Sequence, residues 1–204
     1  MAKNIIITVG CEYGSGGPEI GEKISKDFGI AYYDRSIIDK IIEETGMSTT
    51  LVEAAETGQD IKGRSRELEK KASPTKYQVL TDRVVYIQTQ IIKKLADRGP
   101  CVFVGRCADY VLKDRDNVLN VFVYAPYEVR LKKVIDTLNI SKEAAEYRVK
   151  TQGEQLHARY KQMTGTYRGD RHNRHLLIDS SVLGIEDTAL FIEDFANRVL
   201  EKRD

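Results

Sequence analysis

Two stretches of this sequence have residue types and spacing suited to chemistry on phosphate. The first is Gly14-Ser15-Gly16-Gly17, with Gly10 ahead of it and Pro18 behind. Glycines let a backbone turn through positive φ and let an anion come close to its N–H groups. Amides that converge in this way hold phosphate, and the N-terminus of a following helix adds partial positive charge. The standard form of such a loop is G-x-x-x-x-G-K-[ST]. Here Gly17 stands where the lysine belongs and Pro18 where the metal-binding hydroxyl belongs. A cradle built from backbone survives these changes, whereas the point charge on the outer phosphates and the hydroxyl on the metal do not. A glycine turn without a ligand is the alternative reading. The second stretch is residues 130–174, with eleven Lys or Arg against five Asp or Glu. It reads either as a solvated helix face or as a surface for anions.

The elements that must position these residues follow from periodicity. Residues 5–9 are a short apolar, β-branched run that reads as a buried strand. A helix over residues 16–28 buries Ile20, Ile24 and Phe28 and ends at Gly29. Residues 30–33 form a second strand, followed by Asp34-Arg35 and a helix over 36–45, with Ser36 as its expected N-cap. The polar stretch 48–74 offers few large apolar residues and suggests short helices on a mobile arm or a surface loop. A long amphipathic helix over 76–98 follows, with Leu80, Val84, Ile87, Ile91 and Leu95 on one face. Residues 101–104 and 118–125 are further apolar strands, and a helix over 127–138 opens after Pro126. Ser141 caps the next helix, with Gly153 and Gly165 as punctuation. Residues 176–179 are the last strand and 185–201 the closing helix.

Strands that alternate with helices make a parallel sheet covered on both faces. Ligands of such sheets bind beyond the carboxyl ends of the strands. Four strand ends deliver polar groups to that rim: Gly14 to Gly17, Asp34-Arg35, Arg106 with Asp109, and Ser180-Ser181.

Composition narrows the class. A chain of 204 residues, 41% apolar and 31% charged, suits one α/β domain with a sizeable core. A net charge of +1 gives no overall bias toward nucleic acid or a membrane surface. No apolar run approaches the length that spans a bilayer, and the N-terminus lacks the pattern of a secretory signal. Cys11, Cys101 and Cys107 are an odd number without metal-type spacing, which suggests reduced thiols and a cytoplasmic location. His157, His172 and His175 show no ligand spacing either.

Five segments carry a family resemblance: ITVGCEYGSGGPEIGEKIS at 7–25, YYDRSII at 32–38, VGRCADYVL at 104–112, VFVYAPYEVRLKKV at 121–134 and LLIDSSVLGIE at 176–186. Together they make a chain that resembles the cytidylate kinase-like family of P-loop nucleoside monophosphate kinases. The resemblance implies a P-loop nucleotide kinase fold, a three-layer α/β sandwich with a central parallel sheet. It implies one domain, with a helical monophosphate-binding arm and long helix over residues 35–100 and a lid over 141–175. The implied reaction is ATP + (d)CMP to ADP + (d)CDP, with ATP and Mg2+ as cofactors and small-molecule nucleotides as partners.

Residue by residue, Gly14, Ser15, Gly16 and Gly17 resemble the loop that holds the ATP phosphates. Asp34 and Arg35 resemble the start of the monophosphate arm, and Gly105, Arg106 and Asp109 the acceptor site. Arg148 and Arg159 resemble catalytic lid arginines, with Arg130 and Lys150 as further lid contacts to phosphate. No metal ligand from the protein is expected. The chain departs from the family at Cys11 and Pro18, where basic residues are common, and at Gly153, Glu154 and Leu156, where a lid arginine is lost. These departures keep two alternatives open, a nucleotide-binding pseudo-kinase without turnover and a kinase for another small acceptor. The oligomeric state stays open too, with a homodimer across the long helix as one option.

Overall fold

A computed structural model describes residues 4–49, 52 and 74–202, with side chains from residue 82 onward in the last span. Five strands form the sheet: β1 Ile6–Cys11, β2 Ala31–Tyr33, β3 Cys101–Val104, β4 Val118–Tyr124 and β5 Leu176–Asp179. They lie in the order β2-β3-β1-β4-β5, and every pairing is parallel. Parallel strands need crossover connections, which here are helical. The helices are α1 Gly17–Phe28, α2 Ser36–Thr45, α3 Pro74–Ala96, α4 Ala108–Val111, α5 Tyr127–Leu138, α6 Lys142–Thr164 and α7 Ser180–Glu201. A 3-10 turn at Arg171–Asn173 precedes β5.

The alternation of side chains along β1 splits the core into two sheets of contacts. Ile5, Ile7 and Val9 face α1 and α7, where Ile20, Ile24, Ala189, Ile192 and Ala196 cover them. Ile6 faces the other way, with Phe103 and Val118, under Ile37 and Ile41 of α2 and Val84, Ile91 and Leu95 of α3. This is the three-layer sandwich expected from the alternation of strands and helices. A smaller cluster, Leu131, Val134, Ala145 and Val149, joins α5 to α6 away from the sheet.

Several boundaries differ from expectation for identifiable reasons. The N-cap of α2 is Arg35, and no side chain caps the helix; Ser36 is already its first residue. Gly153 does not interrupt the basic region. It lies inside α6, which runs unbroken for 23 residues, because one glycine costs a helix only about 1 kcal/mol and its neighbours are good helix formers. Ser141 does cap α6, accepting the amide of Ala144 at 3.3 Å. The closing helix starts earlier, at Ser180, and bends at Gly184, whose φ of 75° no ordinary helix contains. The arm expected over residues 48–74 lies largely outside the described residues. Among the described residues no helix is long and apolar enough to cross a membrane.

Candidate active site

Because all five strands run the same way, their carboxyl ends share one rim, and the chain leaves that rim through every polar segment singled out above. The glycine loop connects β1 to α1. Gly14 and Gly16 have φ near 86° and 85°, which only glycine adopts without strain. Among the described residues the amides of Gly14, Gly16 and Gly17 donate to no other part of the chain. They stand at the positive end of α1, so the loop is a backbone nest for an anion.

The side chains of the loop are engaged elsewhere. Ser15 is 2% exposed, and its hydroxyl donates toward the carbonyls of Glu12 and Val123, at 2.9 and 3.1 Å. Its hydroxyl is therefore committed to the protein itself. Ser180 Oγ, from the rim of β5, donates to the carbonyl of Ser15 at 2.7 Å. Glu12 Oε2 accepts from the amide of Ala125 and pairs with Arg130 Nε at 3.1 Å. Arg130 also donates to the carbonyls of Ala125 and Tyr13. It was expected to contact phosphate from the lid, but its guanidinium instead braces the loop from α5. Ser181 likewise belongs to a helix cap, bonded to Asp179.

Each glycine of the loop touches a neighbour. A Cβ on Gly14 would lie 2.8 Å from the carbonyl oxygen of Arg130, and one on Gly16 would lie 2.0 Å from Ile185 Cδ1. A Cβ on Gly17 would lie 2.4 Å from the Cβ of Cys11. The lysine missing from position 17 is thus sterically excluded while Cys11 fills the space beneath it.

Above the loop opens a cleft of about 1220 Å³. Single small-molecule pockets typically occupy about 300–1,000 Å³, so this one has room for two substrates. Gly14 and Gly16 line it from the loop, Asp34, Arg35, Gly105, Arg106 and Asp109 from the segments after β2 and β3, and Arg148 and Arg159 from α6. Lys150 does not line it and is exposed on α6. Two residues of helix turn a side chain by about 200°, so Lys150 points away where Arg148 points in. None of the three histidines lines the cleft.

The charges divide into paired and unpaired groups. Asp109 Oδ2 accepts from Arg174 Nη1 at 2.6 Å and from the Tyr160 hydroxyl at 2.7 Å. Both ionic partners are buried, and Arg174 also stacks between the rings of Phe122 and Tyr160. Asp109 therefore positions the wall through its neighbours. Burial, with Asp109 next to it, pushes the Tyr160 hydroxyl well above the usual phenol range. Asp34 is held above the usual carboxylate range by burial, with Arg106 pulling the other way.

Two arginines stand apart. Arg159 is 6% exposed and its Nη2 has no hydrogen-bond partner among the described residues. Arg168 lines the cleft, and its guanidinium makes no hydrogen bond or ion pair among the described residues, although burial disfavours its charge. Its carbonyl is fixed by Arg174 Nη2 at 2.7 Å. Arg168 is half-buried, with Asp109 near it, whereas Arg159 is a buried cation without an ion pair among the described residues, which is costly unless an anion joins it. Arg168 and Arg174 were legible only as members of a basic run, as nothing in their spacing marks them out.

Gln88 of α3 was missed as well, because it sits among the polar residues of an amphipathic helix. It is 1% exposed, donates to the carbonyl of Arg106 at 2.8 Å, and leaves its own Oε1 buried without a partner among the described residues. No group of three or more His, Cys, Asp or Glu suited to a metal ion lies among the described residues. Asp34 and Glu19, single carboxylates that line the cleft, suit a magnesium carried mainly by phosphate oxygens.

The chain has relatives in both sequence and fold. Cytidylate kinase of Methanopyrus kandleri is 23% identical over 210 residues, covering 98% of this chain and 97% of that protein. A solved structure of an uncharacterized protein from Eubacterium ventriosum superposes with a TM-score of 0.72 at 18% identity, covering 95% of this chain and 98% of the other. Shikimate kinase from Acinetobacter baumannii shares the fold with a TM-score of 0.52 at 16% identity, covering 92% and 90% of the two chains. The model of the cytidylate kinase-like family matches residues 6–182, so the loop, the rim and the arginine wall described above are those of a chain that belongs to the cytidylate kinase-like family.

Proposed function

We propose that this protein is a phosphotransferase that moves the γ-phosphoryl group of ATP to CMP or dCMP. The observation that carries the reading is the pairing of an anion nest, Gly14 to Gly17, with a facing wall that holds Arg106, Arg148, Arg159 and Arg168 across one cleft. Phosphoryl transfer needs positioning and charge neutralisation more than covalent help from the protein. That division of labour matches a site rich in arginine and poor in nucleophiles.

In this reading the glycine amides hold the donor phosphates and Arg106 holds the acceptor phosphate. An acceptor phosphate oxygen attacks the γ-phosphorus in line, the bond to the β–γ bridging oxygen breaks, and ADP departs with that oxygen. Arg148, Arg159 and Arg168 neutralise the charge that spreads over the equatorial oxygens. The attacking oxygen carries no proton, so no general base is required. The buried Oε1 of Gln88, beside Arg106, supports an acceptor base that brings a hydrogen-bond donor, as the exocyclic amine of cytosine does. Magnesium, held by the nucleotide phosphates with Asp34 or Glu19 of the cleft, would neutralise charge on the outer phosphates. Residues 141–175 would act as the lid, and closure would keep water from the γ-phosphate.

Isothermal titration of ATP and CMP, each with and without magnesium, tests the reading when paired with a coupled ADP-release assay on the same sample. Binding of both with turnover is expected, and Arg106→Ala should raise the KM for CMP while leaving ATP affinity unchanged. ATP binding without turnover on any monophosphate would replace the enzyme by a nucleotide-binding pseudo-kinase. Turnover on another small acceptor, with none on CMP, would overturn the substrate assignment.

A further inference from the structure

A loop without its lysine lacks the cation that normally meets the outer phosphates of the donor, and the structure offers a replacement from a different element. Lys133 lies on α5 and lines the cleft. Its Cε would stand 3.8 Å from a Cβ placed on Gly16, so its side chain lies directly along the loop. Its Nζ pairs with Glu19 Oε1 of the first turn of α1 at 2.8 Å, and both side chains are partly exposed, at 31% and 45%. Lys133 is thus a partly exposed cation beside the nest, paired with a carboxylate that a phosphate can displace. A surface pair of this kind is weak, on the order of 0–1 kcal/mol, so exchanging Glu19 for a triphosphate costs little.

The second observation is steric. Position 17 has no room for a side chain, because its Cβ would meet Cys11 Cβ at 2.4 Å and Cys11 Sγ at 2.5 Å. Cys11 is itself buried in the core under α1. Cys11 closes position 17 while Lys133 Cε reaches within 3.8 Å of a Cβ at the neighbouring position 16. Arg130, three residues before Lys133 on the same helix, is fixed to the loop by Glu12 and two carbonyls. That contact sets the register of α5 against the loop and so places Lys133.

We propose that Lys133 supplies the cation on the outer phosphates of the nucleotide donor, in place of the lysine that the loop itself cannot carry. Nζ leaves Glu19 and donates to β- and γ-phosphate oxygens, while the loop amides hold the same phosphates from below. The proposal rests on the donor-site reading given under Proposed function, and its test separates the two.

The experiment is titration of the full chain and of its Lys133→Met variant with ATP and, separately, with AMP, followed by a thermal melt of both proteins. Lys133 is exposed enough that the melt should move little. In the native protein ATP should bind more tightly than AMP. In Lys133→Met that preference should shrink by about 10- to 100-fold, the size of one lost charge-assisted hydrogen bond, while AMP affinity holds. An unchanged ratio of ATP to AMP affinity, whether both weaken or neither does, overturns the role of Lys133 and leaves the donor site standing. A native protein that does not prefer ATP to AMP overturns the donor-site reading and this inference with it.

Discussion

The floor and the wall of the cleft are built on opposite principles. On the floor, nearly every polar side chain is engaged with the protein itself. Ser15, Ser180, Glu12 and Arg130 bond to one another or to nearby backbone, and what remains for a ligand is the row of glycine amides. On the wall, cations without an ion pair among the described residues are left over, one buried and one half-buried. Arg159 has an unsatisfied Nη2 and Arg168 has no ion pair or hydrogen bond to its guanidinium among the described residues. The floor's side chains are satisfied within the protein, whereas the wall keeps an arginine nitrogen without a partner among the described residues. Under the proposed function, a phosphate group held between them would take its position from the first and its charge compensation from the second. Preorganised backbone does not need to move during reaction, while arginines on a lid can close over the substrate.

The largest effect should come from breaking the wall's charge. Arg168→Ala is expected to lower kcat by about 10³-fold or more, as the loss of an arginine on a transferring phosphoryl group does. Its melting temperature should not fall, since no internal pair is lost. An unchanged kcat in a single-turnover assay would remove Arg168 from the wall's function.

Arg174→Met tests the part of the wall that is paired. It would leave Asp109 buried and uncompensated, at a cost of about 3–5 kcal/mol in chemical denaturation. The double variant with Asp109→Asn should recover much of that loss. If the single variant is no less stable than the native chain, the pair is not what fixes the wall.

The floor should respond more modestly. Gly16→Ala forces a side chain into φ 85° and against Ile185. A loss of about 1–2 kcal/mol in stability is expected from the backbone alone, together with weaker ATP binding measured by titration. Relieving the contact with Ile185→Ala should restore only part of it, because the φ strain remains. Full recovery would show that packing, not backbone geometry, demands the glycine.

The smallest effect concerns Asp34, where the two regions meet. Its pKa in the folded protein is raised, chiefly by burial. The folded state therefore holds this proton more tightly than the unfolded chain does, so stability falls as pH rises from the ordinary Asp range through the raised value. Asp34→Asn should remove that fall. Its melting temperature should exceed that of the native protein slightly at pH 7 and match it near pH 3. An equal shift at both pH values would mean that the carboxylate's charge is not the cause.

The sequence made some of this legible and hid the rest for physical reasons. Strands and helices around the site follow from short-range periodicity, and β3, β5 and α5 match it at both ends. Ser36 and Gly153 misled because capping and helix breaking are weak local preferences that neighbouring residues override. Arg130 and Lys150 are equally basic in sequence, yet one braces the loop and the other faces solvent. A helix rotates each successive side chain by about 100°, and only the packing of α5 and α6 decides which rotation meets the cleft.

Taken alone, the sequence determined the order of the elements, the glycine loop between β1 and α1, and the delivery of polar groups to one rim. These depend on residues close together in the chain. The tertiary structure decided which charges face a partner and which face the cleft: Arg174 meets Asp109 across 65 residues, while Arg168 lines the cleft without an ion pair among the described residues. It also decided that Cys11 closes position 17 and that Lys133 overhangs position 16. Charge pairing and steric exclusion act through space over a few ångströms, and only the folded chain sets those distances.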